Sequence, residues 1–384
     1  MGIRAPIIRE GDDLVDIVVR SVVDAAQNEG FELGDRDVVA VTEAVVGRAQ
    51  GNYATLDQIA GDVRAKTGGG TVGVVFPILS RNRFSKMLEG IAKGCDKVLL
   101  QLSYPSDEVG NHLISLDVLD EKGVNPYTDS FDEKQFREIF GYDTVHEFTG
   151  VDYIEYYKGL SDNIEILFSN QVKNIVKYTD TVIACDVHSR ARTKRLLKAA
   201  GVKTVLGMDD ILNAPFEGSG YNKDYGMLGY NRTSETQVKL FPRDCEIFVE
   251  GIKRGLYERT GKNVEVMVYG DGAFKDPKCG IWEFDDPVVS PAYTPGLTGK
   301  TNEIKIKYLA DNKFGDLKGA ELEEALKDSI RNKGANLVGK DEALGTTPRY
   351  ITDLLGSLCD LVSGSGDKGT PIVLIQGYFD NYAM

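Results

Sequence analysis

Apolar residues in Gly11–Phe31, GDDLVDIVVRSVVDAAQNEGF, return every three or four positions, which predicts an amphipathic helix capped by Asp12 or Asp13 and stopped by Gly30. The period then changes. Arg36–Gly51, RDVVAVTEAVVGRAQG, is rich in β-branched residues and reads as strand-like up to a polar glycine turn. After Gly68-Gly69-Gly70, Val72–Phe76 predicts another strand, and Arg83–Leu102 a helix with Phe84, Met87, Leu88 and Ile91 on one face, followed by a short strand. From Ser103 to Gly150 the pattern is polar and irregular, as in a surface insertion or a substrate-facing segment.

A β-α-β unit follows: the strand TDTVIACD, the basic helix SRARTKRLLKAAG closed by Gly201, and the strand VKTVLG. Beyond a tyrosine-rich passage, Phe241–Gly261 predicts a helix with Asp244 near its cap, Ile247, Ile252 and Leu256 inward, and Gly261 at its end. A strand from Val264 runs into Gly270-Asp271-Gly272. The chain closes with a helix capped by Thr347, with Pro348 in its first turn and Ile351, Leu354, Leu355 and Leu358 buried, and with the strand PIVLIQGYF. The sequence contains no internal repeat. These elements predict a mixed α/β (α+β) protein, its core drawn from both chain ends (1–102 and 229–384) around an inserted middle region (103–228) that contains the β-α-β unit.

Composition narrows the function classes. At 384 residues, 42% of them hydrophobic, two or three structural units with a substantial core are expected. No run of about 18 apolar residues predicts a membrane span, and the N-terminal stretch lacks the apolar region of a secretory signal. Five scattered cysteines without a C-x-x-C pair point to reduced thiols and a cytoplasmic protein. A formal net charge of −14 argues against nucleic acid as a partner and suits recruitment of divalent cations.

Phosphate motifs fail on inspection. TPGLTGKT places Thr294 where G-x-x-x-x-G-K-S/T requires glycine, and GGGTVGVVF has its glycines before a strand instead of between strand and helix. Carboxylates at strand ends remain. Asp271, flanked by two glycines, presents unobstructed oxygens of the kind that hold Mg²⁺ or Mn²⁺ beside a substrate phosphate. A plain turn is the alternative. In the β-α-β unit, Asp186 and His188 end a strand and Arg190 and Arg192 begin a helix, an arrangement for a substrate carboxylate or phosphate, or simply a solvated basic face. Tyr221, Tyr225 and Tyr230 suit stacking on a flat ligand or burial between subunits.

Several stretches together resemble the gamma-glutamyl ligase family that adds L-glutamate to the coenzyme F420 precursor. APIIREGDDL is similar to its L-P-x-I-x-x-G-D-D-L opening, VVAVTEAVVGRAQG to a strand ending K-I-V-S-K-A-E-G, and LGYNRTSETQVKLFPRD to G-V-D-x-S-N followed by L-L-P-x-D-P. VEVMVYGDGAFKDP resembles V-x-V-I-I-S-D-T-F-G-R-P, and Tyr350–Tyr378 resembles the family's closing segment. About half the chain is covered.

The resemblance implies a fold, a site and a reaction. It places GTP against Ala5, Pro6, Ile7, Ile8, Glu43, Ala44, Arg48 and Ser234, with Leu374, Ile375, Gln376, Gly377 and Tyr378 lining the nucleotide. The metal, Mn²⁺ or Mg²⁺, falls to Asp271, Asn231 and Gly272, and Arg48 neutralises phosphate. GTP would phosphorylate an acceptor carboxylate, and the amine of L-glutamate would attack the acyl phosphate; His188, Arg190 and Arg192 are candidates for substrate contact. The family forms a homodimer. Asn231 and Gly272 stand where the family has carboxylate and threonine ligands, and Glu43-Ala44 replaces a cation-bearing pair; Asp276, Asp285 and Asp286 are possible substitutes. A metal-dependent phosphohydrolase and a catalytically altered nucleotide- or metal-binding relative are the alternatives.

Overall fold

The computed structural model describes residues 1–146, 149–270, 289–363 and 367–384. The first stretch carries β1 (Gly2–Ile3), α1 (Leu14–Glu29), β2 (Val38–Thr42), α2 (Glu43–Ala49), β3 (Tyr53–Thr55) and α3 (Leu56–Thr67). Next come β4 (Thr71–Val75), α4 (Phe84–Gly94), β5 (Lys97–Leu102), α5 (Leu116–Glu121), β6 (Ser130–Asp132), α6 (Glu133–Phe140), α7 (Tyr153–Lys158), β7 (Ile164–Ser169), β8 (Thr181–Ala184), α8 (Arg190–Ala199) and β9 (Thr204–Gly207). The last are β10 (Asn231–Arg232), β11 (Gln237–Lys239), α9 (Cys245–Thr260), β12 (Glu265–Tyr269), β13 (Ala292–Tyr293), α10 (Ile306–Tyr308), α11 (Gly319–Arg331), α12 (Ile351–Val362) and β14 (Ile372–Ile375). The protein is mixed α and β. Among the described residues no helix is long and apolar enough to cross a membrane.

One five-stranded sheet, ordered β1-β14-β2-β12-β13, draws its strands from both chain ends. Its central strands β2 and β12 run parallel and are apolar on both faces, as a strand covered from two sides must be. Val18 and Val22 of α1 and Ile252 and Leu256 of α9 cover one face, and Leu355 and Cys359 of α12 the other. The caps of α1 follow the sequence: Asp13 accepts from the Asp16 N–H at 3.0 Å, and Gly30 ends the helix at φ 71°. Where α9 crosses α1, a Cβ on Gly255 would lie 2.8 Å from Val19, so glycine sets that approach.

Three details depart from the sequence reading. Only Val38–Thr42 of Arg36–Gly51 is strand; the chain turns helical at Glu43, so tertiary context overrides the β-branched Val45 and Val46. Ile247 is 77% exposed, because five residues separate it from Ile252 and that spacing puts the two about 140° apart on a helix. The final helix starts at Ile351 behind Tyr350, which bridges Lys300 in an extended conformation, so Thr347 and Pro348 lie outside it. Its buried side is Thr352, Leu355, Gly356 and Cys359, and Leu358 faces solvent.

A six-stranded sheet is ordered β6-β7-β5-β4-β8-β9, parallel except for edge strand β6. The β8-α8-β9 unit has the parallel pairing its sequence predicts. Sheet membership changes between β3 and β4, so β4 and β5 lie with β7 and β8, ahead of residue 103. The irregular stretch after Ser103 contains α5, β6 and α6 and adds Tyr104, Leu113 and Phe136 to this core, with Phe136 stacked on Phe168 at 3.8 Å between ring centroids. A small antiparallel sheet, β10-β11-β3, is the third. Beside it Tyr230 is fully buried and its hydroxyl accepts from the Met87 N–H at 2.8 Å, while Tyr225 meets Phe241 edge-on; both rings pack within the chain.

Candidate functional site

Parallel pairing of β2 with β12 puts the carboxyl ends of both strands at one edge, Thr42 opposite Tyr269, with Glu43 and Gly270 next in line. The Thr42 N–H donates to the Pro371 carbonyl at 3.0 Å and the Ala5 N–H to Gly369 at 3.3 Å. The N-terminal segment, the end of β2 and the end of β12 therefore meet at one edge. Asp271 and Gly272, with Asp276, Asp285 and Asp286, lie outside the described residues.

Glu43 is held from the small sheet. Lys239 Nζ lies 2.9 and 3.1 Å from its two oxygens, and the Asn231 side-chain amide reaches Oε1 at 3.5 Å. Asn231 and Lys239 are cross-strand partners on β10 and β11. The ion pair is buried, its side chains 6% and 7% exposed. Gly47, one turn along α2 from Glu43, permits the contact: a Cβ there would sit 3.0 Å from the Leu240 carbonyl oxygen. Nearby Cys245 is no nucleophile, since burial, with Glu246 and Glu43 adding to it, pushes its thiol up to about 12.

The F420-0:gamma-glutamyl ligase family model matches residues 2–377, from before the Ala5 segment to beyond the last strand. The chain belongs to this family. Among curated proteins none matches it. Membership in a gamma-glutamyl ligase family makes the chain a ligase that joins glutamate.

Other positions assigned to the ligase site fall at varied places. Ala5 lies at the edge just described; Pro6 and Ile7 are exposed and Ile8 is buried. Ala44 is half-buried beside Glu43. Arg48 is exposed in the last turn of α2, about 140° round the helix from Glu43, whereas Lys239 pairs with the Glu43 carboxylate. Ser234 sits in the β10–β11 turn, where its hydroxyl accepts from the Thr236 N–H at 3.3 Å. Leu374–Tyr378 lies toward the opposite end of the sheet: Ile375 pairs with Val38, about 13 Å along β2 from Thr42, and the Gln376 amide donates to Asp37 at 2.8 Å. Sequence reasoning missed Lys239. Its signal is a lysine in the apolar run VKLF, a charge that burial obliges to find a partner.

His188, Arg190 and Arg192 lie beside the other large sheet, in the turn after β8 and the first turn of α8. Arg190 is tied to Asp209 at 2.9 Å and to the Val187 carbonyl at 2.9 Å, Arg192 is exposed, and the His188 N–H donates to Glu108. The helix start predicted to hold an anion thus carries the chain's own carboxylate.

Proposed function

We propose that this family member is a GTP- and divalent-metal-dependent ligase that joins L-glutamate to a carboxylate acceptor through an acyl phosphate. The edge where Ala5, Glu43, Asn231 and Gly270 gather carries the reading, because it assembles from both chain ends the segments that the family resemblance assigns to nucleotide and metal. In the reaction an acceptor carboxylate oxygen attacks the terminal phosphorus of GTP and GDP leaves. The amine of L-glutamate then attacks the acyl carbon, phosphate departs, and the nitrogen loses a proton. Such a transfer needs alignment and charge clamping more than a protein nucleophile.

The side chains offered at this edge are oxygen donors, which suit a hard cation such as Mg²⁺ or Mn²⁺. Glu43 already carries an ammonium, which leaves the Asn231 carbonyl oxygen and Asp271 as the groups that would hold the metal; the ion would supply charge neutralisation for the phosphates. Lys239 neutralises Glu43, so the metal would be the positive charge beside the phosphates where Glu43-Ala44 replaces a cation-bearing pair. Ile7, 79% exposed, offers an apolar surface for the base. A cytoplasmic homodimer belongs to the same proposal, and a monomer in light scattering would count against that part.

The test is turnover. With GTP or ATP, Mn²⁺ or Mg²⁺, L-glutamate and a panel of acid acceptors, phosphate release that requires both glutamate and an acceptor is expected. Release without an amine would instead make the protein a phosphohydrolase, and no release together with no nucleotide-dependent thermal stabilisation would make it a relative without catalysis. Asp271→Ala is expected to abolish divalent-metal binding in a calorimetric titration while the melting curve stays cooperative.

A further inference from the structure

Counted in chain order, the parallel strands β4, β5, β7, β8 and β9 lie in space as third, second, first, fourth and fifth, so the winding reverses between β4 and β8. The chain leaves β4 toward α4 and β8 toward α8, on opposite faces. Met87, Leu88 and Ile91 of α4 pack with Val74 and Ile183, whereas Leu197 of α8 packs with Val75, Val182 and Ala184. Diverging connections of this kind leave a crevice beyond the carboxyl ends of the two strands, which is where open parallel sheets take their ligands.

Glu108, from the loop after β5, reaches the turn between β8 and α8 at this edge. Its Oε1 accepts from the Val187 N–H and from the His188 N–H at 3.2 Å, and Oε2 from the Ser189 N–H at 3.2 Å and the Ser189 hydroxyl at 3.1 Å. Three successive backbone N–H groups and a hydroxyl thus close on one carboxylate at the start of the ten-residue helix α8. The loop is anchored without Glu108. Buried Asp107 accepts from the Leu79 N–H at 2.8 Å and from the N–H groups of Val109, Gly110 and Asn111. Glu108 itself is exposed and can swing into water.

An independent observation marks the crevice as incomplete. Asp186, fully buried, accepts from the Thr193 hydroxyl through Oδ2 at 2.8 Å and competes with Glu108 for the single proton of the Ser189 hydroxyl, also 2.8 Å from Oδ2, yet its Oδ1 has no partner among the described residues. Such an orphan calls for a donor beyond the described residues, a role a bound ligand would fill. It lies behind the same Ser189 hydroxyl that touches Glu108, so a ligand with an amine beside its carboxylate would meet both needs.

We propose that the crevice between β4 and β8 binds a carboxylate-bearing small molecule, whose carboxylate displaces Glu108 from the start of α8. The proposal draws only its probes from the ligase reading: L-glutamate as the amine-bearing substrate and glutarate as an amine-free acid. Calorimetric titrations of the full chain with L-glutamate, glutarate and inorganic phosphate are compared for the wild type, Glu108→Gln and Glu108→Ala. Glu108→Ala is expected to bind a carboxylate probe at least tenfold tighter than the wild type, with Glu108→Gln between them. Preference for L-glutamate assigns the site to the amine donor, and equal binding of glutarate assigns it to an acid acceptor. Equal affinities in all three proteins, no carboxylate binding by Glu108→Ala, or binding of phosphate alone overturns the proposal. A tenfold shift without GTP-dependent phosphate release sinks the ligase reading alone, whereas turnover with flat titrations sinks the crevice alone.

Discussion

Glu43 and Glu108 stand at the carboxyl ends of parallel strands in two different sheets, and they are held by opposite means. Glu43 is buried against Lys239, so each charge depends on the other. Glu108 is exposed and rests on backbone N–H groups, all of which water can satisfy if it leaves. A buried ion pair locks two sheets together, and a carboxylate on a helix start is an exchangeable occupant. One edge is therefore built to stay shaped and the other to open.

The sharpest way to break this comparison is Lys239→Ala, which strands the Glu43 charge and is expected to cost about 3–5 kcal/mol in urea denaturation. The double variant Glu43→Gln/Lys239→Met removes both charges and should regain most of that loss; if it is as unstable as the single variant, packing and not charge holds the edge. Gly47→Ala presses a methyl against the Leu240 carbonyl and should cost about 1–3 kcal/mol by thermal melting, with a cooperative transition retained.

At the other edge the expected effects are smaller. Burial raises the Asp186 carboxyl above its ordinary range, partly offset by its hydrogen bonds from Ser189 and Thr193. A raised folded value means that the native state holds its proton longer than the unfolded chain does. Stability therefore falls as pH climbs from about 4, the ordinary carboxylate value, through the raised one. Asp186→Asn should flatten that decline, so the variant gains stability relative to the wild type as pH rises in urea denaturation; a difference that stays constant with pH would refute the assignment. Glu108→Ala should change stability by about 1 kcal/mol or less. If it costs as much as Lys239→Ala, Glu108 is a structural strut and the contrast between the edges disappears.

Much of the framework was legible in the sequence. The α1 helix with Asp13 and Gly30, the β8-α8-β9 unit and the apolar runs of β2, β12 and β14 each follow from period and caps. Legibility ended where neighbours decide. Helix α2 hid behind β-branched residues, and Phe136 belongs to α6, an eight-residue helix whose apolar Phe136, Ile139 and Phe140 recur at helical spacing over too short a stretch to stand out from the irregular sequence around it. At the candidate site, Glu43 and Asn231 came from the family resemblance and do meet, with Ala5 at the same edge, while Arg48 sits on another side of α2 and Leu374–Tyr378 toward the other end of the sheet.

By itself the sequence determined most of the long helices and buried strands and which family the chain joins, because periodicity, caps and motifs act over a few neighbouring residues. Only the tertiary structure decided that Lys239 answers Glu43 across 196 positions and that Glu108 closes on Val187, His188 and Ser189 about eighty positions away. Those pairings depend on which strand lies beside which and in what register. A side chain's reach covers only a few ångströms, so nothing short of the assembled sheets can bring such partners within it.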